Sequence, residues 1–232
     1  MTTKSSAHQF CDSTTAALLP RADAQRAEGM RAYMKAHFEF LGIATPVRRL
    51  ATRELIRNAR GLSSKALCGI AGALWEMPQR EYQYVAVDLL ARHHKTLDAS
   101  AIAFMLALAR DRSWWDSVDA LAGVVGDVVR RHLASDVHAQ ACMDAALEDE
   151  DLWVRRIAML HQLGWRESVD VTRLFRYATA LAPEPDFFIR KAIGWALRDF
   201  ARYDPEGVRA FLRDMQGKLS SLSLREAGKH LG

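Results

Sequence analysis

Residues 151–163 read DLWVRRIAMLHQL, and residues 186–198 read DFFIRKAIGWALR. Laid one on the other, each opens with an acid, continues with aromatics and runs on with apolar residues at helical spacing. The stretch EYQYVAVDLLARH from residue 81 starts the same way. Glu81, Asp116, Asp151 and Asp186 follow one another at intervals of 35 residues. An acid at a helix start complements the helix dipole and caps free N–H groups. One helix per period leaves room for a second, antiparallel one, and a two-helix unit of this length builds HEAT-like α-solenoids. The correspondence is good between 151 and 186. For 81 and 116 it rests on spacing and helix-start chemistry. The fold expected is therefore all-α: an α-solenoid of HEAT-like helix pairs with a concave face, one domain over residues 13–232.

Outside these stretches the chain also reads as helix. Ala, Leu, Arg, Glu and Met abound, and no run alternates with period two. Thr45-Pro46 has the form of an N-cap followed by proline, opening a helix over 46–59. Pro78, Pro183, Pro185 and Pro205 mark later boundaries. Residues 1–12 are expected to be disordered. The chain of 232 residues is half apolar and 26% charged, which is globular rather than disordered composition. No apolar run is long enough to span a bilayer, and the first residues lack a secretory h-region, so a cytoplasmic location is expected. The cysteines, Cys11, Cys68 and Cys142, stand singly, which fits a reducing compartment and no zinc site. Lys plus Arg exceed Asp plus Glu by four, a mildly basic balance that permits nucleic acid without diagnosing it.

Residues 113–122, SWWDSVDALA, set two of the six tryptophans beside two aspartates. Wound as a helix, Trp114, Val118 and Leu121 form one apolar stripe. Trp115 and Asp119, four apart, share a neighbouring face. Packing accounts for Trp115 as well as function does, and a solvated ion pair accounts for Asp119. Over 186–203, Ile189, Ala192, Ile193, Ala196 and Phe200 make the core stripe. Lys191, Trp195, Arg198 and Arg202 make another. An indole inside a basic stripe suits a surface that meets phosphates and a flat apolar group, or else a tryptophan covered by arginine stems. Arg155 and Arg156 could reach a phosphate, or pair with Asp149, Glu150 or Asp151. His93-His94 reads as a solvated helix end. No phosphate-binding loop, dinucleotide fingerprint or serine-nucleophile motif occurs.

Five stretches together have a familiar order: YMKAHFEFLGIATPVRR (33–49), SWWDSVDALA (113–122), WVRRIA (153–158), FFIRKAIGWALRDFA (187–201) and LSLREAGKHL (222–231). From about residue 20 onward the chain resembles the AlkD family of DNA alkylation-repair glycosylases. The resemblance implies a HEAT-like solenoid whose concave basic groove binds duplex DNA. It implies removal of cationic N3- and N7-alkylated purines, such as 3-methyladenine and 7-methylguanine, without metal or cofactor and without flipping the lesion. The family's catalytic aspartate matches Asp119, and its two cleft tryptophans match Trp115 and Trp195. Its cleft arginine matches Arg156, and Tyr33 matches a tyrosine near the cleft. Thr45 and Arg49 remain available to hold the DNA backbone. Where a family member has glutamine in L-G-I-x-T-P, this chain has Ala44, which removes one side chain from that loop.

The chemistry suits these residue types. A cationic purine leaves as a neutral base, so no general acid is needed. The sugar becomes oxocarbenium-like as the bond breaks, and one carboxylate can stabilise it and orient water. Indoles beside the sugar stabilise developing cation. Asp119 is expected to be ionised. Lys191 and Arg198 are expected to meet phosphates. The competing readings are a catalytically silent HEAT-repeat DNA-binding protein and a protein-binding solenoid. The basic stripe around Trp195 speaks against the latter, and the joint presence of Trp115, Asp119, Arg156 and Trp195 against the former.

Overall fold

The structure, a computed structural model, describes residues 3–231. Among them are thirteen α-helices and no strand, apart from one isolated bridge between Glu39 and Gln79. No helix among the described residues is long and apolar enough to cross a membrane. The chain divides into two compact units, one up to Phe104 and one from Met105.

The first unit holds α1 (Thr3–Leu18), α2 (Ala24–Tyr33), α3 (Thr45–Asn58), α4 (Ser64–Trp75) and α5 (Arg80–Arg92). Helix α1 packs on α3 and α4, and both of these pack on α5. The expected disorder of residues 1–12 falls outside the described residues at positions 1 and 2. From residue 3 onward the chain is helical instead. The reason is a hidden stripe: Ala7, Cys11, Thr14 and Leu18, spaced four, three and four, are all buried. Serine and threonine around the stripe mask it in the composition. Helix α3 starts one residue earlier than expected, with Ala44 as an extended N-cap that has no side-chain hydrogen bond.

Glu81 lies in the first turn of α5, as its helix-start signal predicts, but its carboxylate serves a preceding loop. It is fully buried, and its carboxylate accepts the backbone N–H groups of Leu41 (2.9 Å), Gly42 (2.9 Å) and Ile43 (3.0 Å). Three successive N–H groups make a small anion-binding concavity, here filled from within the chain. Gly42 is required at its centre. Its φ of +83° is left-handed, and a Cβ there would lie 2.0 Å from the Asp23 carbonyl oxygen.

Helix α6 (Ser100–Arg110) runs across the division. The second unit continues with α7 (Trp115–His132), α8 (Val137–Ala146), α9 (Leu152–Leu160), α10 (Val171–Ala180), α11 (Phe187–Phe200), α12 (Pro205–Asp214) and α13 (Ser221–Ala227). Helices α7, α9, α11 and α13 pack side by side in a row. Helix α8 lies against α7 and α9, α10 against α9 and α11, and α12 against α11. The 35-residue period is the spacing of this row. Asp151 and Asp186 are true N-caps. Asp151 accepts from the N–H of Trp153 at 2.7 Å, and Asp186 from that of Phe188 at 2.7 Å. Asp116 lies in the first turn of α7. Ile189, Ala192, Ile193, Ala196 and Phe200 are buried as the stripe predicts, each large side chain stabilising the row by about 1.5–3 kcal/mol. Helix α11 ends at Phe200, so Arg202 lies beyond it rather than on its basic stripe.

Candidate active site

The W-W-D-S-V-D segment is built differently from a continuous helix. Trp114 is the N-cap of α7, with extended backbone (φ −163°, ψ 158°). It does not join Val118 and Leu121 in the helical stripe. Its ring instead meets Trp153 of α9 (centroids 5.7 Å apart) and Phe188 of α11 (5.2 Å, edge to face), and those two rings are 4.8 Å apart. Three aromatic rings thus pin the starts of three neighbouring helices. The α7 helix then begins on Trp115, which is half-buried, and one turn later presents Asp119.

Asp119 faces Arg156 of α9. The guanidinium donates from Nε to Oδ1 at 2.7 Å and from Nη2 to Oδ2 at 2.8 Å, the two-pronged geometry of an arginine–carboxylate pair. Its Nη1 donates to the Phe188 carbonyl oxygen. The Arg156 side chain is 1% exposed and the Asp119 side chain 24%. Arg156, expected to grip a phosphate, therefore lies behind the carboxylate with its nitrogens engaged. The cause is its register on α9, where Trp153, Val154, Ile157 and Met159 are all buried too. The guanidinium carbon also sits 5.2 Å from the Trp195 ring centre. Helices α7, α9 and α11 thus bring Asp119, Arg156 and Trp195 to one place, with Trp115 one turn from Asp119.

The basic stripe of α11 is real, but it is not bare. Lys191 Nζ and Arg198 Nη1 each lie 2.8 Å from a different oxygen of Glu226 on α13. Lys229 donates to the same carboxylate at 2.8 and 2.9 Å. Lys191 Nζ is 5.9 Å from both the Trp195 and Phe187 ring centres. Lys191 and Arg198 are still 24% exposed. Arg155 goes elsewhere: its guanidinium pairs with Glu184 at 2.9 Å and donates to the Glu150 carbonyl.

In the first unit, Tyr33 is the last residue of α2 and is 70% exposed. Thr45 and Arg49 are exposed, one turn apart on α3. Arg49 Nε and the buried Arg48 Nη2 share Asp88, each at 3.1 Å. Arg49, Arg53, Arg57 and Arg92, with Glu54 and Asp88, line an open cleft. His93, at the end of α5, is half-buried with Nε2 2.7 Å from the Ile56 carbonyl oxygen.

Sequence reasoning missed Glu226, Lys229 and Phe188. One signal was available for the first: Glu226 follows Lys191 by 35 residues, one full period. In a row of repeated helices, residues one period apart come side by side.

The sequence profile of the family described as DNA alkylation repair enzyme matches residues 14–231. The chain belongs to this family. A solved structure titled as a predicted DNA alkylation repair enzyme from Enterococcus faecalis is similar at 30% identity. Its TM-score is 0.82, over 91% of this chain and 97% of that one. AlkD2 from Streptococcus mutans superposes with a TM-score of 0.62 at 18% identity, over 77% of this chain and 87% of its own. The smu.31 protein of Streptococcus mutans UA159 gives the same score and identity, over 80% and 95%. These last two share the fold. No curated protein matches the chain by sequence.

Proposed function

We propose that this protein is a monofunctional DNA glycosylase that hydrolyses the N-glycosidic bond of N3- and N7-alkylated purines in duplex DNA. A single chain would act in the cytosol, without metal and without extruding the base. The observation that carries the reading is a partly exposed carboxylate, Asp119, held at both oxygens by a buried guanidinium between two tryptophan-bearing helices. The bond from C1′ to the purine nitrogen breaks heterolytically, and its electron pair cancels the positive charge of the alkylated base. The base leaves neutral. Asp119 stabilises the positive charge that develops on the sugar, and water adds to C1′ and releases a proton. Arg156 fixes the orientation of Asp119 in advance, so little reorganisation is needed as charge develops. Trp115 and Trp195 flank the sugar and favour the cation. Lys191 and Arg198, with Arg49, Thr45 and Tyr33 of the first unit, are the proposed contacts to the DNA backbone.

A second reading is a DNA-binding protein that cuts no bond. One observation favours it: the Arg156 charge already opposes that of Asp119 in the unbound protein. One assay separates the two. Duplex DNA with a single 7-methylguanine or 3-methyladenine is incubated with the protein and chelator, and abasic sites are counted after alkaline cleavage. Asp119→Asn runs alongside. Excision by the parent alone supports the glycosylase. Tight duplex binding without excision of either base would leave the silent reading standing.

A further inference from the structure

Glu226 is almost fully buried, its side chain 4% exposed, and it holds three cations. Oxygen Oε1 receives Lys191 and Lys229, and Oε2 receives Arg198 and Lys229. One carboxylate thus faces three cations at this place. The site is closely built. A Cβ on Gly194 would lie 2.4 Å from the Glu226 Cβ and 3.0 Å from the Ser223 carbonyl oxygen. The missing side chain at 194 is therefore what lets α13 deliver the carboxylate under α11. Ser223 Oγ donates to the Arg190 carbonyl at 2.9 Å and fixes the same contact.

We propose that Glu226 is a positioning residue that fixes Lys191 and Arg198, beside Trp195, as a two-cation clamp on one phosphodiester of bound DNA. The proposal rests on the DNA-repair reading above. Long basic side chains are costly to order, and Glu226 orders two of them before DNA arrives. Each contributes one nitrogen to Glu226 and remains about a quarter exposed. Lys191 Nζ also lies 5.9 Å from the centres of both the Trp195 ring and the exposed Phe187 ring. The phosphate would thus be set next to the indole that flanks the sugar. Lys191 and Lys229 hold the Glu226 carboxyl at about 2, far below the ordinary range. Glu226 therefore keeps its negative charge toward these cations near neutral pH.

Charge alone and positioning predict opposite signs for one substitution. Glu226→Gln removes a negative charge from a DNA-facing site. If only net charge mattered, it would tighten binding. If Glu226 positions the clamp, binding weakens. Duplex affinity is measured against salt for the parent, Glu226→Gln and the double variant Lys191→Gln/Arg198→Gln, each checked for folding by circular dichroism. The expected result is several-fold weaker binding by Glu226→Gln, with the slope of log affinity against log salt reduced by about one. For the double variant, which removes both cations from that single phosphate, the reduction is also about one, with a larger loss of affinity. With alkylated duplex as substrate, KM rises by more than kcat falls. Equal or tighter binding by a folded Glu226→Gln overturns the proposal. If that variant does not fold, the double variant decides, and an unchanged salt slope overturns it. A parent that fails to bind duplex at all sinks the DNA reading itself, a different outcome from variants that bind as the parent does.

Discussion

Arg156 stands behind Asp119, holding both carboxylate oxygens from a position that is itself 1% exposed. On the proposed glycosylase reading the arginine is the acid's mount. This decides what its replacement does. Arg156→Lys keeps the charge but cannot reproduce the two-pronged geometry. The expected outcome is a loss of excision of about a hundredfold or more, with the salt slope of duplex binding unchanged. Arg156→Ala should add instability of about 2–3 kcal/mol, because Asp119 and the Phe188 carbonyl lose their donor. Single-turnover excision rates and a salt titration check this. A slope reduced by about one in Arg156→Lys would instead place the guanidinium on a phosphate.

Glu81 gives a prediction about the fold. Its two oxygens accept three backbone N–H groups from Leu41 to Ile43. In Glu81→Gln one oxygen becomes an NH2 group, a donor facing a donor. The loop ahead of α3 then loses a charge-assisted hydrogen bond, and stability should fall by about 2–3 kcal/mol. Urea denaturation with an unchanged midpoint would show that the concavity needs no anion.

Gly123 and Gly126 lie three residues apart in α7 and should respond with opposite signs. A Cβ at Gly126 would meet the His161 carbonyl oxygen at 1.9 Å, whereas at Gly123 it would meet nothing within 4 Å. Gly126→Ala therefore forces α7 away from the end of α9 and should cost about 1–3 kcal/mol. Gly123→Ala raises helix propensity and should stabilise by up to about 1 kcal/mol. Thermal melts of both variants test the packing of the row, and two melts shifted the same way would contradict it.

The repeat was legible because its signals are local. Asp151 and Asp186 cap helices within their own stretches, and their apolar stripes follow at once. Glu81 carries the same helix-start signal yet serves a loop some 40 residues earlier, a partnership that no local pattern reveals. Helix α1 was hidden because its buried face uses Ala7, Cys11 and Thr14, small residues that carry little hydrophobic signal. At the site, the i,i+4 pairing of Trp115 and Asp119 was readable. The pairing of Arg156 with Asp119 was not, since the two lie 37 residues apart on different helices. Trp114 was misplaced because an extended N-cap breaks the helical register just where the tryptophan pair begins.

His161 ties stability to pH. It is buried at the end of α9, with Nδ1 donating to the Ala158 carbonyl at 2.6 Å and its ring edge-on to Trp165. Burial pushes its pKa down from 6.5 to about 4, against the partial support of that carbonyl. Nearby Arg173 lowers it further, while Asp144 and Asp170 pull the other way. Between pH 6.5 and 4 the unfolded chain binds a proton at this position and the folded chain does not. The stability gained from a neutral His161 is therefore complete above pH 6.5 and is lost as pH falls toward 4, by at most about 3 kcal/mol. Glu226, whose pKa is lowered from 4.5 to about 2, loses its contribution only below pH 4.5, so the two windows overlap only between pH 4.5 and 4, below the acid end of the interval measured. Unfolding free energies at pH 7.5 and 4.8, compared with those of His161→Gln, isolate the effect. The variant should lose distinctly less stability than the parent over that interval, and equal losses would assign the acid sensitivity to other groups.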